Sequence, residues 1–392
     1  MPPPEPPWSS NDLWLALPAD AGPWGLLDTS GKGEPRFWSF GDAESLGAAI
    51  ATGAPSLIGW QAGERHLRPL AEIEGVAGAV EARARLDLAL DLRRSRGPLA
   101  VLLVGTAALV AFWPEDRSLR LALLLLAVLA GVQLWVRGAE SAFVAWRGLR
   151  RLARDPARWR RASARELRFQ LYASRFASRL AMVLSIGFVV VWAAMAYAGS
   201  EVAVERLGLV KDRVRGGEWW RLFTCALLHA GPMHFLMNIA AGLSLAGIGR
   251  ALVDEGRLLL VFVASVLGGS LASLLLMPHK ASIGASGGIM GWGGLLLGFA
   301  LAHPALRDCG LAARLGRWVL LLALIGIAGA DFIDNAAHAG GFATGGLLGW
   351  RFALDSGRSL PQQTGWPAAV RYAVIGAGAL LLGAVLLRLV AR

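Results

Sequence analysis

The stretch Gly284-Ala285-Ser286-Gly287-Gly288-Ile289-Met290-Gly291-Trp292-Gly293-Gly294-Leu295-Leu296-Leu297-Gly298-Phe299-Ala300-Leu301-Ala302 decides how this chain folds. It carries no charged side chain. A helix rises about 1.5 Å per residue, so a run of this length matches a bilayer core about 30 Å thick. Its many glycines favour close helix contact inside a membrane rather than a flexible loop. Similar apolar runs lie on both sides, at about 180–199, 231–249, 258–277, 318–330 and 336–350. Further out, runs at 98–113 and 119–136 flank Pro114-Glu115-Asp116-Arg117 and read as a transmembrane hairpin, and a last run covers 368–388. No β-barrel alternation is visible, so helices must satisfy the backbone within lipid. The expected fold is an all-α polytopic membrane protein. It has a six-helix core over 180–350, an N-terminal transmembrane hairpin (about 98–136), one C-terminal transmembrane helix and a small soluble N-terminal domain. The 55% hydrophobic content and mean hydropathy of +0.50 agree with nine spans.

Charge placement orients the spans. From Arg137 to Arg179 twelve arginines face only Glu140, Asp155 and Glu166, which marks a cytoplasmic segment. Connectors near Arg250–Arg257, Arg307–Arg317 and Arg351–Arg358 are also arginine-bearing and fall on the same side. Ser200–Ala230, Pro278–Ser282 and Asp331–Asn335 are then external. The first of these conflicts with the rule, because it holds Arg206, Lys211, Arg213, Arg215 and Arg221. The net charge of +11 raises nucleic acid as a partner, but no reader motif accompanies it, so none is expected. Anionic lipid headgroups fit the basic segment better. Its second half, with Trp159, Leu167, Leu171, Tyr172 and Phe176 among arginines, suits either the inner membrane surface or a solvated helix.

Residues 1–80 are mixed in character and read as a small soluble cytoplasmic α/β domain: short strands at Trp24–Leu27, Phe37–Phe40 and Leu57–Trp60, and a capped helix over Asp42–Ala51. Residues 81–179 form the basic lead-in, hairpin and linker, and 351–392 an inner linker and the last span. The N-terminal Met1-Pro2-Pro3-Pro4-Glu5-Pro6-Pro7 has no basic and apolar signal pattern, so no cleavable signal peptide is expected. Cys225 and Cys309 fall on opposite sides of the membrane, which excludes pairing.

The six core spans contain no Asp, Glu, Lys or Arg. Apart from Tyr197, their ionisable groups are His234 and His338, with Asn238 as a buried amide. Polar groups at membrane depth are costly and point to function. Ser286 opens one descending span, His338 another, and His234 and Asn238 a third. Two crossings separate each from the next, so all reach the same outer level. Alone, a serine among glycines usually packs, and a lone histidine or an i,i+4 His–Asn pair usually hydrogen-bonds to a neighbouring helix. Together they suit acyl transfer. An imidazole can take a serine proton near neutral pH. The first turn of a helix offers free N–H groups to an oxyanion. His234 and Asn238 share a helix face and can donate to it as well. Gly287 and Gly288 on one helix, with Gly341 and Gly345 on the other, permit close approach.

Gly284-x-Ser286-Gly287 together with Ala337-His338-x-x-Gly341-x-x-x-Gly345 resembles the two catalytic signatures of the rhomboid intramembrane serine proteases, bacterial type. Glu218-Trp219-Trp220-Arg221, followed by His229, His234 and Asn238, is similar to their first outer loop and second core helix. The resemblance covers about 180–350. It implies a Ser286–His338 dyad without a catalytic aspartate, and an oxyanion hole from His234, Asn238 and the Ser286 backbone N–H. It implies close helix packing at Gly284, Gly287, Gly341 and Gly345, and structural roles for Trp220 and Arg221 in the outer loop, which relieves the charge conflict there. Asp331 and Asp334 read as capping carboxylates ahead of His338. Bacterial relatives often carry an aromatic residue four positions after the nucleophile, where this chain has Met290.

The expected function is hydrolysis of a peptide bond in or near the transmembrane helix of a membrane-anchored substrate, close to the outer face. No metal or other cofactor is expected. The expected place is a cell membrane (the inner one in a Gram-negative cell), with a cytoplasmic N-terminus and an outward-facing site. The alternative is a non-proteolytic rhomboid-like protein that binds membrane clients. Relatives of that kind typically lack the serine or the histidine, and this chain has both.

Overall fold

The computed structural model describes the chain except residues 1–5, 10–16, 19, 29–35, 54–56, 112–114, 117–130, 132–133, 307–308, 357–367 and 391–392. The N-terminal region holds strands β1 (Trp24–Asp28), β2 (Arg36–Phe40), β3 (Ile58–Trp60) and β4 (Arg68–Pro69), with α1 (Ala43–Gly53) between β2 and β3. The sheet is antiparallel, in the order β2-β1-β3-β4. Asp42 starts α1 by accepting from Ser45 N at 2.7 Å. Leu46 and Ile50 of α1 then bury against Leu26, Leu70 and Ile73.

Two nearly continuous helices, α2 (Ala77–Arg94) and α3 (Arg96–Ala111), lead out of this unit. The second arm of the expected hairpin, at 119–136, lies almost wholly outside the described residues. The chain returns as α4 (Ser141–Arg154) and α5 (Pro156–Ala173), the latter capped by Asp155. Helix α5 does not lie free on a membrane surface or in solvent. Arg168 is buried and grips Glu72 with two hydrogen bonds of 2.7 and 2.6 Å. Trp8 packs edge-on to Phe169 at 5.1 Å, and Trp159 packs on the apolar core under the sheet. The aromatic residues among the arginines therefore face protein. A carboxylate far away in sequence, Glu72, supplies the partner that a local reading of charge cannot reveal.

The core then runs α6 (Arg179–Ala198), α7 (Ser200–Leu207), α8 (Lys211–Arg215), α9 (Arg221–Thr224), α10 (Pro232–Arg250), α11 (Glu255–Leu276), α12 (Ser286–Ala302), α13 (Leu311–Ala328) and α14 (Asn335–Ser356), followed by α15 (Ala368–Val390). Helices α6, α10 and α11 are each long and apolar enough to cross a membrane, and α12 is apolar but shorter. The short span expected at 318–330 begins earlier, at Leu311. Large apolar side chains such as Val183, Ile186, Leu275 and Leu347 are exposed, as on a lipid-facing surface.

Helix α12 is the centre of the bundle: 11 of its 17 residues are buried. It packs on α14 through glycine. A Cβ at Gly341 would collide with the Gly287 carbonyl, one at Gly345 with that of Gly291, and one at Gly349 with that of Leu295. The reverse face repeats the pattern, with Gly294 against Phe342 O and Gly298 against Gly346 O. Five glycines on the two helices thus bring backbone onto backbone. A rigid carbonyl cannot move aside as a flexible side chain can. Gly345→Ala should therefore lower stability by about 1–3 kcal/mol or more, the range for overpacking. At the next residue, Gly346, an added Cβ would sit 3.7 Å from its nearest neighbour, so Gly346→Ala should be tolerated. Thermal unfolding in detergent compares the two, and equal midpoints would refute this account of the packing.

Candidate active site

Helix α12 starts at Ser286 itself, after a turn in which Gly284 has a φ of +132°. That region strains any residue with a Cβ. Gly284 thus serves a turn rather than a helix contact. A Cβ there would lie 2.6 Å from His234 Cε1, 3.0 Å from His234 Nε2 and 3.6 Å from Ser286 Oγ. The missing side chain leaves room next to both groups, and both border the same small space. Ser286 is the first helical residue, and the N–H groups of a first turn have no intrahelical acceptor.

Helix α14 begins at Asn335, and Asp334 caps it by accepting from Ala337 N at 2.9 Å. One turn in, His338 Nε2 lies 2.8 Å from Ser286 Oγ. In the tautomer protonated on Nδ1, Nε2 accepts from the hydroxyl and can take its proton. The glycine contacts described above set this distance. Gly287 lies in ordinary contact with Ala337 O, 3.5 Å from an added Cβ, beside the same pair.

His234 and Asn238 lie on the first two turns of α10, behind Pro232 at the helix start. Asn238 is 6% exposed, and its Nδ2 has no hydrogen-bond partner among the described residues. A buried amide donor without an acceptor is costly, and this one lies one turn after His234 on the same helix. His229 backs His234, with ring centroids 5.4 Å apart, and also packs against Phe188 and Phe235. Burial, followed by repulsion from His234, pushes the His229 imidazole down to about 4. It is therefore neutral in the folded protein. The unfolded chain takes up a proton near its ordinary value of about 6.5. Stability from this site is thus lost as pH falls from about 6.5 towards 4. The unfolding midpoint of His229→Phe, relative to the unsubstituted chain, should rise over that interval. A flat difference would mean that His229 is charged in the fold.

The loop 200–230 is built around Arg221, which is 2% exposed. Its guanidinium donates to Glu218 Oε2 at 2.7 Å, Gly208 O at 2.8 Å and Glu205 O at 2.7 Å. Trp220 is half-exposed, with Arg388 of α15 stacked 4.6 Å from its ring. The arginines of this loop are thus largely engaged with local acceptors: Arg213 with Glu205 and Glu218, and Arg215 with Asp212. Met290 is half-buried, one turn after Ser286 on α12. Both cysteines are buried. Among the described residues no cluster of His, Cys, Asp or Glu has metal-holding geometry.

The apolar helices define a multi-pass helical membrane protein in which Ser286 and His338 meet at the starts of two packed core helices. Residues 216–354 match the family model of the Rhomboid domain, and the relatives this segment is similar to are named rhomboid proteins. RHOMBOID-like protein 1 of Arabidopsis thaliana is 37% identical over 160 residues, 40% of this chain and 40% of the relative. Rhomboid protease GluP of Bacillus subtilis (strain 168) is 35% identical over 133 residues, 33% of this chain and 25% of the relative. Inactive rhomboid protein 2 of Homo sapiens is 30% identical over 137 residues, 34% of this chain and 16% of the relative. The matched segment thus spans less than half the length of these three relatives. The family is one of intramembrane proteases that also includes proteins named inactive.

Proposed function

We propose that the chain is an intramembrane serine endopeptidase that cuts membrane-anchored proteins in or near a transmembrane helix. The observation that carries this reading is the 2.8 Å hydrogen bond between Ser286 Oγ and His338 Nε2 at the start of a buried helix. His338 takes the hydroxyl proton as Ser286 Oγ attacks the scissile carbonyl. The tetrahedral oxyanion is met by the Ser286 backbone N–H, His234 and the unpaired Nδ2 of Asn238. The protonated imidazole then gives its proton to the leaving amine. Water, activated by the same imidazole, releases the acyl group. No residue is asked to hold a metal or cofactor. A helical substrate must unwind locally, since its carbonyls are otherwise engaged within the helix.

In this reading the N-terminal domain and the 137–179 segment are cytoplasmic, and the site opens to the other side of a cell membrane. The arginine-rich segments support that orientation. The partners are transmembrane protein substrates and lipid. The relative named inactive raises the other reading, a client-binding protein without turnover. Retention of both Ser286 and His338 in hydrogen-bonding geometry favours the protease. The deciding experiment is cleavage of a reporter transmembrane substrate by the purified chain in liposomes. Cleavage by the unsubstituted chain and none by Ser286→Ala supports the protease. Binding of the reporter without cleavage by either supports the client-binding reading.

A further inference from the structure

A second polar cluster lies next to the site, and the dyad chemistry does not use it. Lys211, at the start of α8, is 3% exposed although it is a lysine. Its Nζ donates to Ser282 Oγ at 2.7 Å and to Lys280 O. Ser282 Oγ in turn bonds Asp334 Oδ2, and so does Ser273 Oγ of α11. Ser273 and Ser282 are 3.2 Å apart. The other carboxylate oxygen, Oδ1, caps α14 at Ala337 N, and Asp334 O accepts from His338 N at 3.1 Å. A single carboxylate therefore touches three separate parts of the chain: α11, the segment leading to Ser286, and the first turn of the helix that bears His338.

The connection is reinforced on the serine side. Leu209 and Ser282 exchange backbone hydrogen bonds of 3.0 and 3.3 Å, and Gly284 N donates to Cys225 O at 2.9 Å. The loop 200–230 is thus stitched to residues 282–284, only two to four positions ahead of Ser286. Burial disfavours charge on both ends of the cluster. On Lys211 it is the largest influence and lowers the ammonium, against the pull of Asp334. On Asp334 burial works upward but is outweighed by the bonds from Ser273, Ser282 and Ala337 N and by Lys211, which hold the carboxyl below its ordinary value. Each charge is thus kept by the other. Capping α14 needs only a neutral acceptor such as asparagine. The buried cation and the two extra hydroxyl donors exceed what a cap requires.

We infer that Lys211 and Asp334 are positioning residues: linked through Ser282, they form a buried clamp that holds the His338 helix in register with the segment that presents Ser286. The inference rests on the Ser286–His338 reading above. A misplacement of about 1 Å in a catalytic group can cost on the order of 10²-fold in rate. The clamp acts on turnover rather than on substrate affinity, because neither residue contacts the reacting atoms.

The test uses the full chain with Lys211→Met, Asp334→Asn and the double variant. It reads kcat and KM on a reporter transmembrane substrate, the rate of fluorophosphonate labelling at Ser286, and the unfolding midpoint. Asp334→Asn keeps the cap and isolates the charge. Lys211→Met alone leaves a buried carboxylate without its cation, so its kcat and labelling rate should fall about 10- to 100-fold at unchanged KM. The double variant should recover part of that loss, since neither charge then remains unmatched. Ser282→Ala serves as a milder arm should Lys211→Met fail to fold, and should slow labelling in the same direction. Additive losses, a change confined to KM, or labelling at the unsubstituted rate in all variants would overturn the clamp. A lack of Ser286 labelling in the unsubstituted chain would instead overturn the dyad, and the clamp with it.

Discussion

Ser286→Ala, His338→Ala and the double variant are expected to fall to the same background rate of substrate cleavage. Each single loss should be about 10⁴-fold or more, since removing the nucleophile or base of such a unit costs roughly 10⁴–10⁶ in rate elsewhere. The reason lies in the geometry of the pair. A neutral serine hydroxyl is a poor nucleophile, and the only imidazole hydrogen-bonded to it among the described residues is that of His338, at 2.8 Å. Without Oγ there is nothing for the imidazole to activate. Without the imidazole the hydroxyl keeps its proton. Groups that act as one unit give strongly non-additive losses, so removing both should cost no more than removing either. Folding should survive, because both changes shorten side chains and leave the glycine contacts between α12 and α14 intact. The readout is initial cleavage rate in liposomes, with fluorophosphonate labelling as a second measure. A double variant much slower than either single one would mean that the two residues contribute independently. Substantial cleavage by His338→Ala would assign the base to another group.

Much of this arrangement was legible in the sequence because membranes restrict what a chain can do. Charges are excluded from spans, so His234, His338 and Asn238 stood out against an apolar background. Alternating crossings then put Ser286, His338 and His234 at one level, and the structure brings Ser286 and His338 into direct contact there. Glycine spacing was legible for a similar reason. Gly341 and Gly345 are four apart and meet Gly287 and Gly291, also four apart, along one helix seam. Gly284 was the exception, since a helix contact and a turn call for the same residue and only the φ of +132° separates them.

Contacts between distant segments were not legible. Asp334 read as a cap, and it is one, but nothing local ties it to Ser273, Ser282 and, through Ser282, Lys211. The basic segment that holds Arg168 and Phe169 suited either a membrane surface or solvent on sequence, because its partners, Glu72 and Trp8, lie far back in the chain. The short helices α7, α8 and α9 were hidden in a charged connector. They are held less by their own periodicity than by the Arg221 side chain, whose acceptors include the carbonyls of Glu205 and Gly208.

Asn238→Ala is expected to slow cleavage on the order of 10²- to 10³-fold, about 2.7–4 kcal/mol, as removal of one oxyanion donor does elsewhere. The loss should be graded rather than complete, because Ser286, His338 and the Ser286 N–H all remain. It should fall towards the lower end, or below it, to the extent that His234, one turn earlier on α10 and beside the same space at Gly284, donates in its place. KM should change little, since the bond is made to an oxygen whose charge develops only in the transition state. The unpaired Nδ2 makes a second, independent expectation possible. A buried donor without a partner gives back nothing for its desolvation, so filling the same volume with carbon should not destabilise the fold. Asn238→Leu should therefore unfold at the same temperature as the unsubstituted chain or higher, while cleaving as slowly as Asn238→Ala. This opposite movement of stability and rate is the signature of a group kept for the reaction. If both substitutions instead lower the midpoint sharply and raise KM at unchanged kcat, Asn238 holds α10 in place and takes no part in stabilising the oxyanion.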